Sequence, residues 1–422
     1  MLTVFFLAIV IPPIYLSMRL FMGRTGRKWS WRTRLAVCSV LLVISQVYTI
    51  DSTVFRNLSG PDMPAWLLLL QIWLFTAMIL AFLMCLCGDI SYCVWRALGL
   101  TTRLLRGTTR QWGRRPDPGR RAFLRQASFC VTWGVSAVSL GTSAVGVVAG
   151  TALPQVHRME VVIPKLPQAL DGFCLAQLTD VHIGPLTSID WVRQIVTVTN
   201  AARPDLICLT GDLTDGRWEY QVAHGGSRIG AIREFVAFRA RHGVFACTGN
   251  HEYYSDYAGW MSLYADVGLR VLHNEGVVLE HDGARLSLAG LDDDMAVTYG
   301  HAPERDSVSL MATLPGLAEG ALRVVMDHRP VHAAKNAAAG ADMQLSGHTH
   351  GGQCLGMDKI VAKANRGFVR GWYTVSGMPV YVSSGVGLWS GFPVRLGIPA
   401  EIALVTLRSG AEQVIRDVNA PA

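Results

Sequence analysis

Histidine is absent from the first 156 residues of this 422-residue chain, although the whole carries 12. Any imidazole-based centre must therefore lie beyond residue 156. Cysteine is scarce: the 9 cysteines form no C-x-x-C pair and no regular framework, which excludes a disulfide scaffold and a thiolate zinc site. Cys38, Cys85, Cys87, Cys93 and Cys130 fall in or beside apolar runs, Cys174, Cys208 and Cys247 fall in predicted strands, and Cys354 follows the last histidine motif. All but Cys354 read as small buried hydrophobes. Internal repeats are lacking too, and only the Gly/Trp-rich stretch 366–392 stands out in composition, so a solenoid is excluded.

Charge is missing where a membrane would reject it. Residues 1–152 hold four apolar stretches, 2–22, 35–50, 65–87 and 128–152, with lengths near the ~20 residues a helix needs to cross ~30 Å of hydrocarbon. They read as an all-α region of four transmembrane helices, the first expected to kink at Pro12-Pro13. None carries a central ionisable residue, which argues against a transport pathway. Six Lys and Arg residues crowd the link 19–34 and nine crowd the link 96–125, against Arg56 alone between spans two and three. The positive-inside rule sets both basic links in the cytoplasm. The expected location is therefore the cytoplasmic (inner) membrane, multi-pass, with residues 153–422 as a catalytic domain on the outer, periplasmic side.

The sequence pI of about 9.0 beside a mean hydropathy of +0.30 is resolved by that division. Residues 151–422 hold 22 Lys and Arg against 27 Asp and Glu, so the basic balance belongs to the links and no nucleic-acid partner is expected. Within one link, Arg120-Arg121-Ala122-Phe123-Leu124-Arg125 ahead of the fourth span resembles a twin-arginine export signal, making the twin-arginine export machinery a candidate partner. Small residues at 149–152 leave open cleavage after that span.

The outer region alternates strands with helices, an α/β pattern. Ser188 is placed to cap a helix over 189–202, and further helices are expected at Ile229–Arg241 and Asp256–Val267. After residue 270 short strands dominate, at Val277–Glu280, Leu286–Ala289, Val380–Ser383 and Ile402–Leu407. Two sheets with flanking helices follow from this pattern.

Five motifs then end five strand-like runs: Asp180-Val181-His182, Gly211-Asp212, Gly249-Asn250-His251-Glu252, Asp327-His328 and Gly347-His348-Thr349-His350-Gly351-Gly352. The C-terminal ends of strands are where α/β sheets place their sites. Carboxylate, amide and imidazole donors suit Mn, Fe, Zn or Mg ions. Asp180 and His182, being alternate residues of an extended segment, point to one side.

The motif order D-x-H, G-D, G-N-H-E, H, G-H-T-H resembles the calcineurin-like metallophosphoesterases. The forms Leu345-Ser-Gly-His-Thr-His-Gly-Gly-Gln353 and Val380-Tyr-Val-Ser-Ser-Gly-Val-Gly387 resemble the membrane-associated bacterial branch. The likeness covers about 157–408. It implies a sandwich of two mixed sheets and two divalent metal ions as cofactors. The matching residues are Asp180, His182 and His350 for the first ion, Asn250, His328 and His348 for the second, and Asp212 bridging both. A hydroxide held between the ions would attack phosphorus. His251 resembles the family's proton donor to the leaving oxygen, and Asp215 is a candidate to orient it. Gly347, Gly351 and Gly352 are expected to let backbone approach the ions closely.

The expected function is a membrane-anchored two-metal phosphoesterase of mono- or diesters, with a phosphoester substrate, lipid-linked or from the envelope side, as partner beside the membrane itself. The alternative is a non-catalytic metal-binding membrane scaffold. His157, His224, His242, His273, His281, His301 and His332 match no motif and read as surface residues. Asp292-Asp293-Asp294 reads as a solvated turn, and Trp260, Trp372 and Trp389 as packing residues. The stretch 216–230 reads as an exposed loop or a flap over the site.

Overall fold

The computed structural model describes residues 10–19, 29–46, 62–105, 118–254, 256–301, 320–389 and 392–418. The chain forms two compact units, one of residues 1–54 and 66–147, the other of residues 55–65 and 148–422.

The first unit is helical. Two long apolar helices, Ala65–Leu105 and Pro118–Thr151, contain segments able to cross a membrane by length and composition, Ala65–Thr102 and Gly134–Thr151. Four spans were expected, and the described residues provide two. The helix Trp31–Ser45 has 15 residues, which at 1.5 Å per residue reach only ~22 Å into a ~30 Å hydrocarbon layer. Of the stretch 2–22 only 10–19 are described, as helix, and the rest lies outside the described residues. The helix beginning at Pro118 takes in Arg120 and Arg121, so that pair sits on a helix rather than in a connecting link. Inside this unit the Tyr15 hydroxyl donates to Asp89 at 2.5 Å, and Arg19 pairs with the same carboxylate.

The second unit carries two mixed sheets. In the first, β1 (Gln155–Ile163), β2 (Cys174–Leu178), β3 (Leu206–Thr210), β4 (Val244–Cys247) and β5 (Arg270–Val271) join β12 (Glu401–Ser409) and β13 (Ile415–Asp417) in the order β13-β1-β12-β2-β3-β4-β5. In the second, β6 (Glu275–His281), β7 (Ala284–Leu291), β8 (Leu322–Asp327), β9 (Met343–Ser346), β10 (Gly371–Val375) and β11 (Met378–Val382) run in the order β10-β11-β9-β8-β7-β6. Strands β2, β3 and β4 are mutually parallel, as are β7, β8 and β9. Parallel strands release their C-terminal ends on one side of a sheet, so each sheet presents a row of loops along one edge.

Alternation along each strand sets the layers. Leu175, Leu206, Cys208 and Phe245 from the first sheet meet Leu288, Val324, Met326, Met343 and Leu345 from the second in the central core. The alternate residues Ala176, Leu178, Ile207 and Leu209 face helices instead, packing with Val192, Ile195, Val196, Ile232 and Trp260. Each fully buried leucine contributes roughly 1.5–3 kcal/mol. Gln177 is buried at the top of the core, where its amide donates to Thr210 Oγ1 at 2.8 Å and across to Ser346 O at 3.0 Å. One side chain thereby ties β2, β3 and β9 together directly beneath the motif loops.

Helix Ile189–Ala201 starts as its sequence predicts, with Ser188 Oγ accepting from Trp191 N at 3.1 Å. The helix expected at Ile229–Arg241 is instead a short helix Ser227–Arg233 followed by a 3-10 turn Glu234–Ala237. Asn200 stops it: its amide donates to Ala237 O and its carbonyl accepts from Arg239 N, both at 2.8 Å. A side chain on a neighbouring helix thus takes the hydrogen bonds that continuation would have used.

Candidate metal centre

The loops leaving β2, β3, β4, β8 and β9 meet at one place. Asp180 Oδ1 lies 3.3 Å from His350 Nε2 and 3.9 Å from His182 Nε2, and the two imidazole nitrogens are 3.0 Å apart. Donor atoms that share an ion at ~2.1 Å are separated by about 3.0–3.4 Å when adjacent and by at most ~4.2 Å when opposite, so these spacings suit one cation. Beside them, Asp212 with His328 and His348 forms a second such group. Asp212 Oδ2 stands 3.7 Å from His182 Nε2 and 3.2 Å from His328 Nε2, between the two clusters.

Orphaned atoms test whether metal fits. Asn250 Oδ1, His328 Nε2, His348 Nδ1 and His350 Nδ1 are buried without a hydrogen-bond partner. Buried polar atoms ordinarily have partners, and the Asn250, His328 and His348 atoms belong to the set expected around the second ion. The opposite ring nitrogens are committed: His328 Nδ1 donates to Thr210 O at 2.8 Å and His182 Nδ1 donates to Asp215 Oδ1 at 3.0 Å. Such bonds aim each Nε2 at the centre, where a cation would take the place of a proton.

The backbone is strained at this centre. Asp180, His182, Asp212, His348 and His350 all have positive φ, between 45° and 71°. That conformation costs a non-glycine residue roughly 1–2 kcal/mol, a cost typical of functional sites. Gly347 is the tight approach: a Cβ there would fall 2.2 Å from Asp180 Oδ2. Gly351 and Gly352, expected to do the same, instead lie against Ser384, Ile398 and Asp358.

Electrostatics sorts the imidazoles. Burial lowers His348 and His350 well below the ordinary histidine value, helped by the neighbouring Arg329 guanidinium and His182 imidazole respectively, so both are neutral, the form that ligates metal. Burial works against a charged His251, but Asp212 and Asp215 outweigh it and hold that imidazolium up to about 9. His328 is raised to about 10 against the same burial, chiefly by Asp212. His251 Nδ1 donates to Asp215 Oδ1 at 2.6 Å, and its Nε2 is 4.0 Å from Asp212 Oδ2. Asp215 would be raised by burial, but His182 and His251 hold its carboxyl below the usual range.

Several residues escaped the sequence reading. Glu252, 1% exposed, accepts from Asp212 N, Leu213 N and Gly249 N at 3.1, 2.7 and 2.8 Å, and so clamps two motif turns together. Its place in the G-N-H-E motif was the available signal. Arg329 binds Asp293 through Nε at 2.5 Å and Nη2 at 3.1 Å, and its Nη1 stands 3.5 Å from His348 Nε2. The acidic run is therefore no solvated turn: Asp293 is 2% exposed, Asp292 is 7% exposed and bonded to His273, and Asp294 pairs with His332. His281 is also buried, against Phe173 and His242, rather than on the surface. Residues 216–230 form two short helices, with Trp218 edge-on to the buried Trp260. Cys208, Cys247 and Cys354 are buried free thiols, and burial pushes Cys208 up to about 12.

The signature of the calcineurin-like phosphoesterases matches residues 175–352, a range that contains all five motifs. The chain is similar to a Danio rerio transmembrane protein with metallophosphoesterase domain, 34% identical over 275 residues, covering 62% of this chain and 59% of that one. A Bos taurus protein of the same description is 31% identical over 281 residues, with 63% and 60% covered. The chain thus spans less than two thirds of these vertebrate relatives. The uncharacterized metallophosphoesterase YkuE of Bacillus subtilis is 30% identical over 250 residues, which cover 58% of this chain and 82% of YkuE.

Proposed function

The chain belongs to the calcineurin-like metallophosphoesterase family, and from that premise we propose that it is a membrane-anchored, two-metal hydrolase of phosphate mono- or diesters working on the outer side of the membrane. The observation that carries this reading is the grouping of Asp180, His182 and His350 around one point and of His328 and His348 around another, with Asp212 Oδ2 between them. Asn250, whose buried Oδ1 lacks a hydrogen-bond partner, is the further donor assigned to the second ion. A divalent pair bound there supplies an activated water at neutral pH and neutralises charge on the phosphoryl oxygens.

The chain's own groups complete the reaction. His251, held charged by Asp212 and Asp215, presents Nε2 toward the centre and gives its proton to the departing alkoxide. Asp215 fixes the ring through Nδ1. Arg329, anchored by two bonds to Asp293, keeps Nη1 beside His348 as a fixed positive charge for a phosphoryl oxygen.

The substrate is a lipid-linked or envelope phosphoester. Support comes from the end of the helix Pro118–Thr151: Gly150 and Thr151 line a crevice with His182, Thr187, Trp191 and Leu388, and Trp191 Nε1 reaches Ala152 O at 3.5 Å. A site tethered so close to an apolar helix end meets a headgroup confined to the same plane at raised effective concentration.

Full-length protein in detergent, loaded with Mn²⁺, tests the reading with a chromogenic phosphodiester. Turnover is expected, and Asp212→Asn is expected to lose both metal and turnover while its melting transition persists. A metal-loaded wild type that hydrolyses neither monoesters nor diesters would leave the scaffold alternative instead. Full activity of Asp212→Asn after metal repletion would sink the two-metal mechanism.

A further inference from the structure

Asp62 precedes the apolar helix Ala65–Leu105 in the chain, yet residues 55–65 belong to the same compact unit as residues 148–422. Its side chain is 1% exposed. Oδ1 accepts from Arg228 Nη1 at 2.9 Å and Oδ2 accepts from Arg217 Nε at 3.0 Å. Arg228, 3% exposed, sends the same Nη1 to Asp215 O at 2.9 Å. The guanidinium fills the space a side chain at residue 216 would need: a Cβ on Gly216 would lie 1.5 Å from Arg228 Nη1. Trp260 Nε1 closes the turn from another side by donating to Gly216 O at 3.1 Å.

The turn held in this way is the one that carries Asp215. Its backbone carbonyl is gripped by Arg228, while its carboxylate reaches His251 Nδ1 at 2.6 Å and His182 Nδ1 at 3.0 Å. A buried ion pair contributes little net stability, because desolvation of both charges offsets their attraction, but removal of one partner leaves the other uncompensated. Without Asp62, the Arg228 charge would lie beside the Asp215 carbonyl with its nearest buried counter-charge gone, and the turn would follow wherever the guanidinium moved.

We propose that Asp62 is a positioning residue for the phosphoesterase site. By pairing with Arg228 it fixes the turn 215–217 and thereby the bond from Asp215 to His251, so that a segment lying ahead of an apolar helix controls proton delivery to the leaving group. The proposal rests on the reading of His251 as proton donor. It also means that a fragment beginning at residue 153 lacks part of its own site, so the full chain is the form to test.

Wild type, Asp62→Ala, Asp62→Asn and His251→Ala are compared as full-length protein in detergent with bound metal measured. The substrates are aryl phosphodiesters graded in leaving-group pKa. Asp62→Ala, assayed at saturating metal, is expected to keep its KM and to lose kcat by ~10-fold, the scale of losing an orienting hydrogen bond behind a ligand shell. That loss should grow as the leaving group worsens, with the slope that His251→Ala shows. Asp62→Asn, which keeps the shape and one acceptor, loses less along the same slope and serves if Asp62→Ala fails to fold. Two results overturn the proposal: Asp62 variants equal to wild type across the series while His251→Ala is impaired, or a loss equal for every leaving group, which marks a structural role only. If His251→Ala itself shows no dependence on leaving group, the reading of His251 fails, and the proposal with it.

Discussion

Asp215 offers the sharpest test of the centre, since one of its oxygens serves two histidines. Oδ1 accepts from His182 Nδ1 at 3.0 Å and from His251 Nδ1 at 2.6 Å, and the side chain is fully buried. Asp215→Asn keeps the volume and leaves an oxygen acceptor while removing the charge. A hydrogen bond to a charged group contributes roughly 1.5–3 kcal/mol and a neutral one roughly 0.5–1.5 kcal/mol, so each of the two bonds should weaken by about 1–1.5 kcal/mol. Since ~1.4 kcal/mol is tenfold, the His182 bond predicts about tenfold weaker binding of the first metal. The His251 bond predicts about tenfold slower turnover once metal is saturating. The two losses separate in one experiment: kcat titrated against Mn²⁺ for wild type and Asp215→Asn. The midpoint should move to higher metal, and the plateau should stay low. A variant whose midpoint and plateau both lie within twofold of wild type would refute the shared-acceptor argument.

A pH prediction comes from His157, away from the centre. Its Nδ1 lies 3.2 Å from Glu401 Oε2 and its Nε2 3.0 Å from Asp417 Oδ2, and the Glu401 bond, against burial and with Asp417 helping, raises it to about 9. A folded value above the unfolded ~6.5 means its contribution is full below pH ~6.5 and is lost as pH rises through about 9, roughly 1 kcal/mol after allowance for partial exposure. Thermal melts between pH 6 and 10 should show the loss in wild type and a flatter profile in His157→Gln; parallel profiles would discard the idea. For export, Arg120→Lys with Arg121→Lys keeps the positive charge but not a twin-arginine address. The domain should then vanish from the protease-accessible outer face, and unchanged accessibility would leave ordinary helix insertion as the route.

The local half of this protein was legible in its sequence. Runs such as Cys174–Leu178 and Leu206–Thr210 are apolar, short and bounded by motif residues, so strand, strand end and donor set could be read together, because each is decided by neighbours within a few residues. Ser188 as a helix cap belongs to the same class. Reading by length and hydropathy failed where length itself was misjudged, as in the helix Trp31–Ser45. It failed again at Ile229–Arg241, where a distant Asn200 decided the boundary. The sequence by itself determined the α/β alternation, the five motifs and the donor chemistry, since these depend on residue type and spacing alone. Only the tertiary structure decided that Asp212 stands between two clusters, that five motif residues take left-handed backbone, that Arg329 leans on Asp293, and that Asp62 pairs with Arg228 166 residues away. Those contacts follow from how two sheets pack and bring their loops to one edge. No local propensity encodes a distance between residues that the chain itself holds far apart.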